Sequence, residues 1–349
     1  MQPTELYRAL RAKVAQWVWD LKQVCLAWTS YFAACRAWEE HSEKVLGQPK
    51  QGRNLLTYTT QAISRNLRNA GWIVPSGPPI QAASKQAFET RDQARIVPHA
   101  THHTVEVIGE QPITLADRAP QWVAGMDLGV NKLAVVPANQ SGFVLLLVHC
   151  RPLKALNQLY NKRRALYQSS PPDEQQTSRR LDILSDKRKR QVEGYLHVAS
   201  RRVVEHLVHS RIGILVIGKH GCWKQEVNLG KRKNQTFVFL PHSRFIQMLA
   251  DKAQLVGIQV NVTEERYTSK CSFLDHEPLA DQERYVGKRL ERGLFQTATS
   301  RRLNADATGA CNRILKAVPD AFGKGRAGVV VHPVRLSLTN RRLASYIAR

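Results

Sequence analysis

No apolar run in this 349-residue sequence approaches the roughly 20 residues that a membrane-spanning helix needs. Met1 to Arg11 shows no leader of a basic stretch followed by an apolar one, so a cytoplasmic chain with no membrane partner is expected. Cysteine is scarce as well. The six residues at 25, 35, 150, 222, 271 and 311 are scattered, which excludes a disulfide framework. None forms a Cys-x-x-Cys pair, which excludes a standard zinc ribbon. Acidic residues are the third shortage: 28 Asp and Glu stand against 52 Lys and Arg, a formal net charge of +24. An imbalance of that size points to a polyanionic partner.

The excess charge is unevenly placed. Residues 1–120 carry 14 basic and 10 acidic side chains, so nearly all of the surplus lies in the C-terminal two thirds. It forms no single tail, and this predicts a basic coat on a folded surface, suited to phosphate contacts that give affinity with little sequence choice. With 43% hydrophobic and 23% charged residues the chain is globular, and its length predicts two or three domains.

Val14, Trp17, Leu21, Cys25 and Trp28 recur at helical spacing, which predicts a helix over Leu6 to Ala33 and a second over Cys35 to Leu46. The four tryptophans between 17 and 38 suit either a core or a platform for stacked bases. Residues 54–112 carry β-forming stretches at Leu55–Thr59, Trp72–Pro75 and Thr104–Ile108. Three strands then follow in close succession: Trp122–Leu128, Leu133–Val136 and Phe143–Val148. Basic helices are predicted over Leu153–Tyr167 and Thr177–Ser210, separated by Ser170, Pro171 and Pro172. Residues 151–210 hold 13 basic and 6 acidic side chains. A buried strand at Ile212–Ile217, a helix at Pro241–Val256, a strand at Ile258–Thr263, an irregular basic insertion at Ser272–Arg302 and a last helix at Asp306–Val318 complete the series. Little periodicity follows Pro319.

Metal-assisted cleavage of a phosphodiester needs carboxylates from separate elements converging on hard cations, in a surround basic enough to hold phosphate. Asp127 closes the first of the three strands inside an apolar run, Glu264 and Glu265 follow the fifth strand, and Asp306 opens the last helix. Each residue also has a plainer use, as a turn former, a solvated strand end or a helix N-terminal acid. Their order and strand context set them apart. Nucleic-acid contacts are expected from Lys187, Arg188, Lys189 and Arg190, from Trp223, Lys224, Lys231, Arg232 and Lys233 in the polar loop, and from Lys270. Cys271 and Cys311 are expected to be buried thiols.

Gly125-Met-Asp-Leu-Gly-Val-Asn-Lys-Leu-Ala134 resembles the first RuvC motif of the TnpB (OrfB) family of transposon-encoded, RNA-guided nucleases related to type V CRISPR effectors. Tyr267-Thr-Ser-Lys-Cys271 resembles that family's segment before its zinc ribbon, and Asn304-Ala-Asp-Ala-Thr-Gly-Ala-Cys-Asn312 its third RuvC motif. The resemblance covers roughly residues 95–335. It implies an α/β, RNase H-like (RuvC) nuclease domain over 119–320, with a basic helical insertion at 151–210 and another insertion at 271–303. A helical recognition-like segment at 1–53 and a β-rich wedge-like module at 54–118 would precede it, and a basic tail at 321–349 would follow. The implied activity is a transposon-associated, RNA-guided DNA endonuclease whose partners are a guide RNA and double-stranded DNA. The implied catalytic and metal-binding residues are Asp127, Glu265 or Glu264, and Asp306, with Glu265 slightly favoured, holding Mg²⁺, two ions being expected.

The sequence departs from the family at three points. After the fourth strand, where the family carries an acid, it reads Ile217-Gly218-Lys219, and a glutamate from the neighbouring strand is the expected replacement. The Cys-x-x-Cys pairs are missing, so zinc is not expected. The chain also enters the pattern partway through the recognition region. These departures motivate two rival readings: a nuclease-deficient, RNA-guided DNA-binding repressor and a truncated, inactive transposase remnant.

Overall fold

The computed structural model describes residues 29, 32–33, 35–37, 39–40, 56–58, 62–64, 66–67, 70–75, 80–84, 93–109, 112–113, 115–169, 179–218, 240–264, 266–291, 293–323, 325–326 and 334–336. The contacts divide the chain into two units, residues 1–111 with 177–186, and residues 112–176 with 187–349. Among the described residues, no helix is long and apolar enough to cross a membrane.

In the first unit the described residues from 29 to 40 are helical, and the rest of the two helices expected there lies outside the described residues. Strands β1 (Leu56–Tyr58), β4 (Gln93–Pro98) and β5 (His103–Ile108) form an antiparallel sheet, and β2 (Trp72–Ile73) pairs with β3 (Ala82–Ala83). Tyr58, Ile63, Ile73, Ala94 and Ile96 make a small core. Cross-strand neighbours Arg95 and Glu106 form an ion pair at 2.6 Å.

The second unit is built on six strands in the order β10-β9-β6-β7-β8-β14. β6 (Ala119–Leu128), β7 (Lys132–Val136) and β8 (Leu146–His149) run antiparallel as a meander. The first of the three, β6, lies at the centre, where β9 (Ile212–Gly218) and then β10 (Gln259–Thr263) add in parallel. The sheet is mixed and the architecture α/β, the class that the family resemblance implies. Helices α1 (Arg151–Gln168) and α2 (Arg179–His209) connect β8 to β9, α3 (His242–Leu255) precedes β10, and α4 (Ala305–Ala317) follows it.

Period-two alternation along β6 decides which face does what. Ala124, Met126 and Leu128 join a core with Leu196, Val203, Leu207, Phe245 and Leu249 of α2 and α3. Val123 faces the opposite way, into a second core with Val216 of β9 and Ala307, Cys311 and Ile314 of α4. Gly125 lies on that second face. A Cβ there would sit 2.3 Å from the Ala310 carbonyl oxygen and 2.8 Å from Ile314 Cγ1, so glycine permits α4 to lie directly on the central strand. Asp127 is the next residue along the same face.

Two expectations are corrected. Ser272–Arg302 is not irregular throughout. It carries β11 (Lys288–Glu291) and β12 (Leu294–Gln296), which pair antiparallel with each other and, through β12, with β13 (Arg302–Asn304). The third strand of the meander starts at Leu146 rather than Phe143. The tail also contributes β14 (Val334–Leu336), parallel to β8 at the sheet edge.

Candidate active site

Asp127 sits at the penultimate position of β6 with its side chain 19% exposed. The turn after it is anchored at Gly129, whose carbonyl oxygen accepts from Cys150 Sγ at 3.5 Å and lies 3.2 Å from His242 Nε2. Burial pushes the Cys150 thiol up to about 12, so it stays a protonated donor. Asp306 lies in the first turn of α4, 25% exposed. Asn304 caps that helix, its side-chain oxygen accepting from the backbone N–H groups of Asp306 at 3.0 Å and Ala307 at 3.1 Å. The two acids are 179 positions apart in sequence, yet they line one pocket of about 170 Å³ with Thr268, Ser269, Arg289, Ala305, Gly309 and Arg313. Gly309 lies against Asp127: a Cβ on it would stand 4.0 Å from Asp127 Oδ2, in ordinary contact.

Each carboxylate has cationic neighbours. Arg313, 4% exposed, donates from one terminal nitrogen to Asp127 Oδ1 at 2.7 Å and to the Met126 carbonyl oxygen at 2.9 Å. Lys132 Nζ pairs with Asp306 Oδ2 at 2.9 Å, and an Arg289 terminal nitrogen lies 3.4 Å from Asp306 Oδ1. Behind the pocket, Asn312 Nδ2 donates to the carbonyl oxygens of Thr268 and Cys271, tying the Tyr267–Cys271 segment to α4.

The other sequence-derived candidates among the described residues do not line the pocket. The Glu264 carboxylate pairs with Arg266 at 3.0 Å, is largely exposed, and is not among the residues lining the pocket. Glu265, Trp223, Lys224, Lys231, Arg232 and Lys233 lie outside the described residues. Lys187, Lys189 and Arg190 are exposed on α2. Arg188 turns inward instead, with Nε donating to Asn157 Oδ1 at 2.7 Å and the guanidinium 5.0 Å from the Tyr160 ring centroid. Lys270 is exposed with its ammonium 5.4 Å from the Tyr285 ring centroid, and does not line the pocket. Cys271 and Cys311 are buried, and burial raises both thiols.

Sequence reasoning missed Lys132, Arg289 and Arg313. Two of them lie within or next to motifs it had marked: Lys132 closes the turn after Asp127, and Arg313 directly follows the Asn304–Asn312 stretch. In the 271–304 region carboxylates join the loops. Asp275 Oδ2 accepts from Ser272 Oγ at 2.6 Å and from the Ala298 N–H at 2.9 Å. The Glu277 carboxylate accepts from the N–H groups of Ser272 at 2.5 Å and Val286 at 2.8 Å.

Residues 99–221 match the model of a family described as a probable transposase, OrfB_IS605. Residues 242–313, which contain α3 and most of α4, match a Cas12f1-like TNB domain. The resemblance to the TnpB and OrfB family is borne out. A search of curated protein sequences finds no match. Among solved structures, a Cas12f1–sgRNA–target DNA complex is 12% identical, covering 89% of this chain and 78% of its own, with a TM-score of 0.49. A CRISPR-Cas12f ternary complex is 15% identical, covering 63% of this chain, with a TM-score of 0.43; this chain spans 44% of its length. T. thermophilus RuvC with a Holliday junction substrate is 14% identical, covering 57% of this chain and 94% of its own, with a TM-score of 0.25.

Proposed function

We propose that this chain is an RNA-guided DNA endonuclease of the TnpB kind, cleaving a phosphodiester bond at the pocket between β6 and α4. The observation that carries the reading is the meeting of Asp127 and Asp306, from the central strand and the last helix, in a pocket rimmed by Arg289. Both matched family segments border that pocket, and the net charge of +24 suits a partnership with guide RNA and double-stranded DNA.

The donor set fits a hard divalent cation such as Mg²⁺, which takes one or two carboxylates and completes its shell with water and substrate phosphate. Asp127 and Asp306 would hold it. Glu264 supplies no third ligand in this arrangement, and among the described residues no three His, Cys, Asp or Glu side chains gather to hold a metal. The bound ion would supply Lewis acidity and a lowered pKa for water. The chain's own residues do the rest. Lys132 orients Asp306, Arg313 orients Asp127, and Arg289, nearly half exposed at the rim, offers its guanidinium to a phosphate.

The test is the chain purified with its co-purifying RNA and a matched DNA duplex. Asp127→Ala and Asp306→Ala should each abolish Mg²⁺-dependent cleavage, a loss above about 100-fold, while retaining RNA. Full cleavage by both variants would overturn the site.

A second reading is a nuclease-deficient, RNA-guided DNA-binding protein. It is favoured by Gly218, which presents no acid on β9, and by the arginine that lies against it. Guide-dependent DNA binding with no metal-dependent nicking would select this reading.

A further inference from the structure

The parallel register places Met126 beside Ile217, so Asp127 and Gly218 are neighbours at the ends of β6 and β9, on the face covered by α4. A Cβ at position 218 would stand 2.2 Å from Arg313 Nε, 2.6 Å from Cζ and 2.7 Å from Cδ. All three distances are far inside van der Waals contact. Arg313 has little freedom to withdraw. It is 4% exposed, arises from the middle of α4, and is held by the Met126 carbonyl oxygen and Asp127 Oδ1. A guanidinium swung away from these partners would be buried without them, and Asp127 would lose the cation beside it.

We infer that Arg313 is the positioning residue of this site. Its guanidinium fills the space that a side chain on β9 would need, and it clamps one oxygen of Asp127. A side chain at 218 therefore requires the Arg313 guanidinium to give up its place. The site trades the acid that β9 could carry for a fixed cation contributed by α4. With Lys132 and Arg289 on Asp306, three cations then converge on two carboxylates, and each carboxylate is oriented by a cation from another element.

The inference rests on the two-acid reading given above, but its central claim can be tested apart from it. A double-mutant cycle on thermal unfolding pairs Gly218→Ala with Arg313→Ala, using the full chain. Gly218→Ala should lower Tm clearly in the Arg313 background and far less in the Arg313→Ala background. Additive effects would overturn the inference, because Arg313 would then not own the volume at 218.

The second readout is Mn²⁺ affinity, followed by electron paramagnetic resonance without nucleic acid. Measured on variants that still unfold cooperatively, this quantity reads the charge at the site apart from support of the fold. Gly218→Glu with Arg313→Ala replaces a cation by a carboxylate, and should tighten Mn²⁺ binding by about tenfold or more. Unchanged affinity in the double variant, with wild-type binding lost in Asp306→Ala, would refute the exchange of the β9 acid for the α4 cation. Wild-type binding that survives both Asp127→Ala and Asp306→Ala would instead remove the two-acid reading, and the coupling in Tm would still decide the 218–313 relation.

Discussion

Lys132 Nζ stands 2.9 Å from Asp306 Oδ2 and 3.3 Å from Asn304 Oδ1, so the turn that follows the central strand is fastened to the N-terminus of the last helix. The contact joins two separately marked motifs through one side chain. It also holds the Asp306 carboxylate at a fixed place in the first turn of α4.

Removing either half of this fastening should be felt in stability and in cleavage. Lys132→Ala is expected to cost about 1 kcal/mol, since both side chains are partly shielded from water. Asn304→Ala removes the helix cap and should cost about 1 kcal/mol as well. Urea unfolding measures each loss. Cleavage should fall more than stability in Lys132→Ala, because Asp306 loses its orienting partner.

The close approach of α4 to β6 makes a second prediction. Gly125→Ala would drive a methyl group into the Ala310 carbonyl and Ile314, and should destabilise the chain by about 2 kcal/mol or more. Gly142→Ala serves as the control for space alone, because a Cβ at Gly142 meets nothing within 4 Å. Its positive φ of 76° should still cost about 1 kcal/mol. Equal losses in the two variants would show that helix–strand contact is not what glycine serves at 125.

Nucleic-acid contact through α2 is testable by salt. Lys187, Lys189 and Arg190 are exposed, and replacing all three by alanine should reduce the slope of log affinity against log salt by up to about 3. Arg188→Ala should behave differently. It should lower Tm by releasing Asn157 and Tyr160 while leaving the salt slope near its original value.

Acid should destabilise the second unit in a defined direction. Burial holds the His206 imidazole below its ordinary range, and His197 is lowered by burial and by nearby Lys252 and Arg244. Unfolded histidine takes up a proton near about pH 6.5, whereas these folded side chains resist it. The unfolded state therefore binds more protons in that window, and stability falls as pH drops through and below about 6.5. Tm measured between about pH 7.5 and 5.5 should decline. His206→Gln, whose amide can still donate to the Val144 carbonyl oxygen, should flatten the slope in part.

What could be anticipated follows from how local each signal is. Asp127 was legible because it is the one acid at the end of an otherwise apolar strand. Asp306 was legible from the motif that opens α4. The vacancy at Gly218 was legible as a missing acid, but its occupant was not. Arg313 reaches it from a helix 95 positions later in the sequence, and only the strand register brings the two together. Glu264 satisfied the requirement for an acid after the fifth strand, yet its carboxylate goes to Arg266. The strands β11 to β13 escaped because four of their first residues, Lys288 to Glu291, are all exposed and show no apolar alternation.

The 179 positions separating Asp127 from Asp306 also order events during synthesis. The basic helices α1 and α2 emerge from the ribosome long before α4, so a nascent chain carries its basic surface well ahead of its acid pair. Until Asp306 and Arg313 have been translated and packed, Asp127 stands at the end of an uncovered strand. Under the proposed function, competence to cut would therefore arrive last, and a chain released early would lack it.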